Sequence, residues 1–140
     1  MTMEIRAFTP ADEGAVIDLW KRCGLLVPQN NPKADIRRKL GVAPELFLVG
    51  ALESAIIATV MAGYDGHRGC INYLAVAPHL QERGYGRQLR AHAENLLRER
   101  GCPRINLLVR SSNKPIIEFY QLRGFRRDDV VSMGKRLISD

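Results

Sequence analysis

Residues 70–97, CINYLAVAPHLQERGYGRQLRAHAENLL, carry three patterns in immediate succession. CINYLAV is a short apolar run that reads as a strand ending near Val76. QERGYGR, residues 81–87, then places Gly84 and Gly86 between Arg83 and Arg87. Leu89, Ala93, Leu96 and Leu97 follow at helical spacing, and Gly101-Cys102-Pro103 stops the helix. A glycine loop with two arginines can be a tight turn, a nucleic-acid contact or an anion cradle. Its position between a strand end and a helix start favours the cradle, because a helix presents unpaired N–H groups there and glycines let a ligand approach the backbone. RINLLVR, residues 104–110, reads as the next buried strand, so the strand, helix, strand passage implies one parallel pair in the sheet.

The flanking segments read as mostly antiparallel. MEIRAF is a strand, and Thr9-Pro10 opens a helix whose buried face is Val16, Leu19, Trp20 and Cys23, with Gly24 as its stop. LLVPQNNP is a loop, and Asn31-Pro32 caps a short helix over about residues 33–40 that bears Arg37, Arg38 and Lys39. ELFLVGAL and AIIATVMAGY, separated by Glu53 and Ser54, pair as a hairpin, and DGHRG makes a second tight turn into CINYLAV. Asn113 caps a helix through Ile116, Ile117, Phe119 and Tyr120 that ends at Gly124, and the runs around Gly124-Phe125 and VVSMGKRL suggest two more strands. The expected fold is mixed α and β: one domain over residues 1–140, with a mostly antiparallel mixed sheet of about six to seven strands and about four helices on both faces.

Composition narrows the class. With 46% hydrophobic and 26% charged residues in 140, the chain suits one soluble core, and no apolar segment is long enough to cross a bilayer. MTMEIRAF lacks the apolar run of a secretion signal, so a cytoplasmic protein is expected. Cys23, Cys70 and Cys102 are odd in number and lack CxxC spacing, which predicts reduced thiols and no metal site. The net charge of +6 admits an acidic partner, but charge without exposed aromatics makes nucleic acid an unlikely ligand.

Two motifs at their proper separation resemble the GNAT superfamily of N-acetyltransferases over nearly the whole chain. Gln81, Gly84 and Gly86 match the family's Q/R-x-x-G-x-G/A acetyl-CoA motif after Leu74-Ala75-Val76, and Asn113, Tyr120 and Gly124-Phe125 match its later signature. MAGYDGHRG and GKRLI also look like a bacterial branch of the YpeA type, a likeness that brings no substrate with it. The resemblance implies that Leu74, Ala75 and Val76 line the pantetheine arm, with backbone hydrogen bonds from Leu74 and Val76. It implies that Glu82, Arg83, Gly84, Tyr85, Gly86 and Arg87 wrap the pyrophosphate, and that the two parallel strands part at the thioester. Asn113 and Tyr120 would also touch the cofactor, and Tyr120 would be the general acid. On helix spacing alone Tyr120 is a packing residue beside Phe119; the motif is what assigns it a role.

The implied activity is acetyl-CoA-dependent transfer to a primary amine, of a small molecule or a protein, by direct attack on the thioester. The usual glutamate base is missing: its two family positions fall on Cys70 and Leu108. Asp65 and His67 are the substitutes at hand, although Asp65-Gly66 is also what a turn requires. His79, Glu82 and Arg110 are expected to be exposed or on the cofactor side. Residues 25–32 and 63–69 are the expected acceptor loops, and they hold no acidic cluster. Trp20 is expected in the core or at this pocket's border. The missing glutamates also motivate a second reading, a non-catalytic acyl-CoA-binding sensor. Oligomeric state is left open, and a homodimer is compatible with the chain.

Overall fold

The computed structural model describes residues 2–140, which form two compact units: residues 2–106 with Asp140, and Leu107–Ser139. In the first unit the elements are β1 (Glu4–Ala7), α1 (Glu13–Arg22), α2 (Pro32–Leu40), β2 (Phe47–Leu52), β3 (Ala55–Tyr64), β4 (Gly69–Val76), α3 (Tyr85–Glu99) and β5 (Ile105–Asn106). The second unit contains α4 (Lys114–Gln121). The strands lie in the order β1-β2-β3-β4-β5, antiparallel except for the parallel β4–β5 pair.

Local chemistry accounts for most boundaries. The Asp12 carboxylate accepts from the Thr9 N–H (2.8 Å) and from both Arg6 Nη atoms (2.8 and 3.0 Å), so the chain turns from β1 through one 3₁₀ turn before α1 begins. Those charge-assisted bonds hold the buried Asp12 carboxyl below the usual carboxylate range, with the Arg6 guanidinium the main cause. α1 ends in a Schellman arrangement: Gly24 has φ +71° and the Leu25 N–H reaches the Trp20 carbonyl (2.9 Å). Asn31 Oδ1 caps α2 by accepting from the Ala34 N–H (3.1 Å). Glu53 and Ser54, at φ +47° and +70°, make the two-residue turn between β2 and β3, whose left-handed pair matches the twist of the strands.

The core is built on both faces of β2 and β3. Every residue of β2 is buried, and Gly50 admits the Met3 side chain where a β-carbon would stand 2.5 Å from Met3 Sδ. Leu89, Ala93 and Leu97 form the buried stripe of α3, while Val16, Leu19 and Trp20 form that of α1. Phe8 stacks on Phe47 (4.4 Å between ring centres), and Trp20 stacks on Tyr73 (3.9 Å).

Two expectations about strands are corrected. Among the described residues the sheet has five strands rather than six or seven, because RINLLVR is paired only at Ile105–Asn106 and neither the Gly124-Phe125 run nor VVSMGKRL is a strand. The β4–β5 ladder consists of Gly69 opposite Ile105 and Cys70 opposite Asn106 and then ends. A strand is held by its neighbour, so the segments beyond it have propensity but no ladder. Leu108 is 83% exposed instead of buried, and Val130, Val131, Met133 and Leu137 are exposed as well.

Within the second unit, α4 follows Asn113 as expected. Gly124 (φ +89°) closes it, with the Phe125 N–H bonded to the Tyr120 carbonyl (3.1 Å). No helix among the described residues is long and apolar enough to cross a membrane.

Candidate active site

Gly84 stands at the N-cap of α3 with φ +88°, and Glu82 two residues earlier also has positive φ (+63°). Backbone of this shape turns the chain sharply out of the loop and into the helix, and Gly84 tolerates it because it has no β-carbon. The first intrahelical bond runs from the Gln88 N–H to the Gly84 carbonyl (3.0 Å). The N–H groups of Tyr85, Gly86 and Arg87 have no carbonyl one turn back, and they form the positive end of the α3 dipole. Arg83, Arg87 and Glu82 are exposed around this end. Gly86 lies against β4, where a β-carbon would be 3.4 Å from Val76 Cγ2. The expected cradle residues 82–87 are therefore together, directly beyond the end of β4.

β4 supplies the second part. The Ala77 N–H bonds the Ile57 carbonyl (2.8 Å), which sets the phase of the antiparallel ladder: Ala75 faces β3, and Leu74 and Val76 turn their backbone groups to the opposite edge. Among the described residues no strand is paired with that edge beyond Cys70. Val76 departs from expectation in one respect. Its carbonyl already accepts from Gln81 Nε2 (3.0 Å) and Cys23 Sγ (3.2 Å), which leaves its N–H for a ligand lying along the edge. Burial raises the Cys23 thiol pKa, which suits a neutral donor in that bond.

Between these parts β4 bulges. Thr59 pairs with Ala75 and Met61 with Asn72, so Tyr73 and Leu74 together oppose Val60. Tyr73 takes φ +52°, a conformation that is strained for an aromatic residue and persists only where the surroundings enforce it. Three contacts do so: the ring stacks on Trp20, the hydroxyl donates to Asp35 Oδ2 (2.7 Å), and the carbonyl accepts from Thr59 Oγ1 (2.9 Å). Burial, reinforced by Asp35, pushes the Tyr73 phenol well above its ordinary pKa, so it stays protonated. Thr59 in turn accepts from Trp20 Nε1 (2.9 Å), and both side chains are fully buried.

Replacing that hydroxyl tests how firmly the bulge is held. Thr59→Val is expected to cost about 3 kcal/mol, because the Trp20 N–H and the Tyr73 carbonyl both lose a partner at nearly constant volume. Urea unfolding should show a lower midpoint with an unchanged slope, and Thr59→Ser should recover most of the loss.

The remaining expected residues have local roles within their own units. The Asp65 carboxylate accepts from the His67 and Arg68 N–H groups (2.8 Å each), and these bonds lower its pKa, so it serves the turn and is a poor base. His67, His79 and Arg110 are exposed, and Trp20 is in the core. In the second unit Tyr120 is buried edge-on between Phe119 (5.2 Å) and Phe125 (5.1 Å). Asn113 is exposed there; its carbonyl accepts from the Ile117 N–H (3.1 Å), while its side chain makes no cap bond. Sequence reading missed Tyr73, Thr59 and Asp35. Only the four-residue spacing of Asp35 and Lys39 on α2 could have marked part of that group in advance.

Comparison with known proteins identifies the family. Residues 10–125 match the model of the acetyltransferase (GNAT) family. An acetyltransferase of Yersinia enterocolitica is 46% identical over 138 residues, 99% of this chain and 98% of that protein. The crystal structure of Ard1 from Thermoplasma volcanium superposes with a TM-score of 0.78 at 25% identity, covering 90% of this chain and 84% of that one. The PaiA N-acetyltransferase of Thermoplasma acidophilum, solved with coenzyme A, shares the fold with a TM-score of 0.72 at 21% identity and 94% coverage of both chains. The chain thus belongs to the acetyltransferase (GNAT) family.

Proposed function

We propose that this acyltransferase is an N-acetyltransferase that uses acetyl-CoA and delivers the acetyl group directly to a primary amine. The observation that carries the reading is the unpaired β4 edge running into the Gly84 start of α3. An extended pantetheine arm would add to that edge like a strand, and the pyrophosphate would meet the first N–H groups of α3 with Arg83 and Arg87 beside it. Bound acetyl-CoA supplies an activated acyl thioester. The backbone at the Tyr73–Leu74 bulge lies beside the thioester in this pose, where an N–H can stabilise the acyl oxygen as negative charge develops. Tyr120 holds a proton for the departing sulfur, an assignment supported by the motif it shares with the family. A primary amine of pKa about 10.4 is only about 0.04% neutral at pH 7, so the acceptor must lose a proton at the site.

The second reading, a sensor that binds acyl-CoA without turnover, is favoured only by the absence of a carboxylate at Cys70 and Leu108. Purified protein incubated with acetyl-CoA and a panel of amines and peptides separates the two. Release of CoA thiol with at least one acceptor is expected. Thermal stabilisation by acetyl-CoA with no thiol released on any acceptor would establish the sensor instead. The three free cysteines suit a reducing compartment, and we assign the enzyme to the cytoplasm.

A further inference from the structure

The acceptor can be narrowed from the face that α2 turns toward the sheet. Asp35 and Lys39 are one turn apart on that face, with Ile36 buried beside them. Asp35 Oδ2 meets the Tyr73 hydroxyl at the bulge (2.7 Å). Lys39 Nζ reaches the Ala62 carbonyl (2.5 Å) over Gly63, where a β-carbon would lie 3.9 Å from Nζ and 3.2 Å from Cys70 Sγ. The anionic group thus sits at the bulge end of β4 and the cationic group at its Cys70 end.

Among the described residues the charges around them leave Lys39 without an ion-pair partner. Arg38 is exposed and engages Asp140 through both Nη atoms (3.0 and 2.5 Å) as well as Asp35 Oδ1 (3.2 Å), so Asp140 matches its charge. Glu45 is taken by Arg100 (2.7 Å). Arg37 is exposed. Among the described residues Lys39 has no carboxylate within 4.0 Å, although it is half-buried and burial lowers its pKa. A partly desolvated ammonium bonded to a carbonyl, with no carboxylate in contact, is poorly compensated, and an anionic ligand group would supply a direct partner.

We propose that the acceptor is a free α-amino acid, held with its ammonium at Asp35 and Tyr73 and its carboxylate at Lys39. The separation of the two groups on one helix face, about 6 Å between β-carbons, admits a small zwitterion between their side chains. This orientation also sets the amine beside the bulge, where the thioester lies. Transfer then forms the N–C bond and breaks the C–S bond. The ammonium gives up two protons: one leaves to solvent through Asp35, and the other replaces the proton that Tyr120 gives to the departing thiolate. The proposal rests on the N-acetyltransferase reading.

Its test compares L-amino acids with their carboxamides and with dipeptides, using acetyl-CoA and following thiol release. At least one amino acid is expected to exceed its amide about a hundredfold in kcat/KM. Lys39→Met should raise KM for that amino acid at least thirtyfold, bringing the ratio of acid to amide to about one. Lys39→Arg should keep most of the preference, and circular dichroism would verify that both variants are folded. Equal use of acid and amide by the unmodified protein, or a Lys39→Met loss shared equally by every acceptor, overturns the proposal. No thiol release with any amine removes the transferase reading itself, and this proposal with it.

Discussion

Gly84→Glu is expected to weaken acetyl-CoA binding by at least about a hundredfold in a protein that still folds. Two effects combine. A side chain at φ +88° adds local strain of about 1–3 kcal/mol, which the chain can relieve only by moving the loop that shapes the α3 start. The new carboxylate also opposes the pyrophosphate where the helix dipole and Arg83 and Arg87 would attract it. Losing even one charge-assisted contact costs about 1.5–3 kcal/mol, and a hundredfold corresponds to about 2.7 kcal/mol. Gly84→Ala separates the contributions, since it adds the strain without the charge. Calorimetric titration of both variants with acetyl-CoA, alongside their melting temperatures, gives the answer. Unchanged affinity in folded Gly84→Glu would mean that the pyrophosphate binds elsewhere.

Tyr120→Phe carries the second large effect: kcat should fall about a hundredfold, while KM for acetyl-CoA shifts by less than about threefold. The ring can stay between Phe119 and Phe125, so the loss reports the hydroxyl rather than the packing. General acids typically contribute about 10²–10⁴-fold, and the lower end is expected because a thiol of pKa about 8.5 is already a tolerable leaving group. For the same reason the deficit should narrow above about pH 8.5, where the thiolate no longer needs the proton. A pH profile of kcat for both proteins measures this, and wild-type turnover by the variant would remove Tyr120 from the chemistry.

What could be read from the residues was local. The cap at Asn31, the start of α4 after Asn113, the Glu53-Ser54 turn and the amphipathic run after Gly86 each depend on neighbours within a few positions, and each is present, although Asn113 makes no side-chain cap bond. The unpaired edge of β4 followed only indirectly, from a resemblance rather than from any signal in CINYLAV. Tyr73 shows why. Its strain comes from a mismatch between two strands and from partners at positions 20, 35 and 59, none of which its own neighbours reveal. Lys39 read as one member of a basic helix face, yet docking of α2 turns it inward to Ala62 while Arg37 stays in solvent. VVSMGKRL illustrates the opposite error: its alternation suits a strand, but pattern cannot create the neighbour that a ladder needs.

The strand order 1-2-3-4-5 has a kinetic meaning. β2, β3 and β4 follow one another through tight turns, so these three can zip together through short loop closures, with the two-residue turn closing earliest, whereas α1 and α2 separate β1 from β2. β5 must wait for α3 to cross the sheet, and it then gains only two paired positions for that delay. The seam beside the proposed thioester site is thus a long closure held by the shortest ladder of the sheet. A cleft that must admit and release a long cofactor at every turnover gains its access from the same late, shallow pairing.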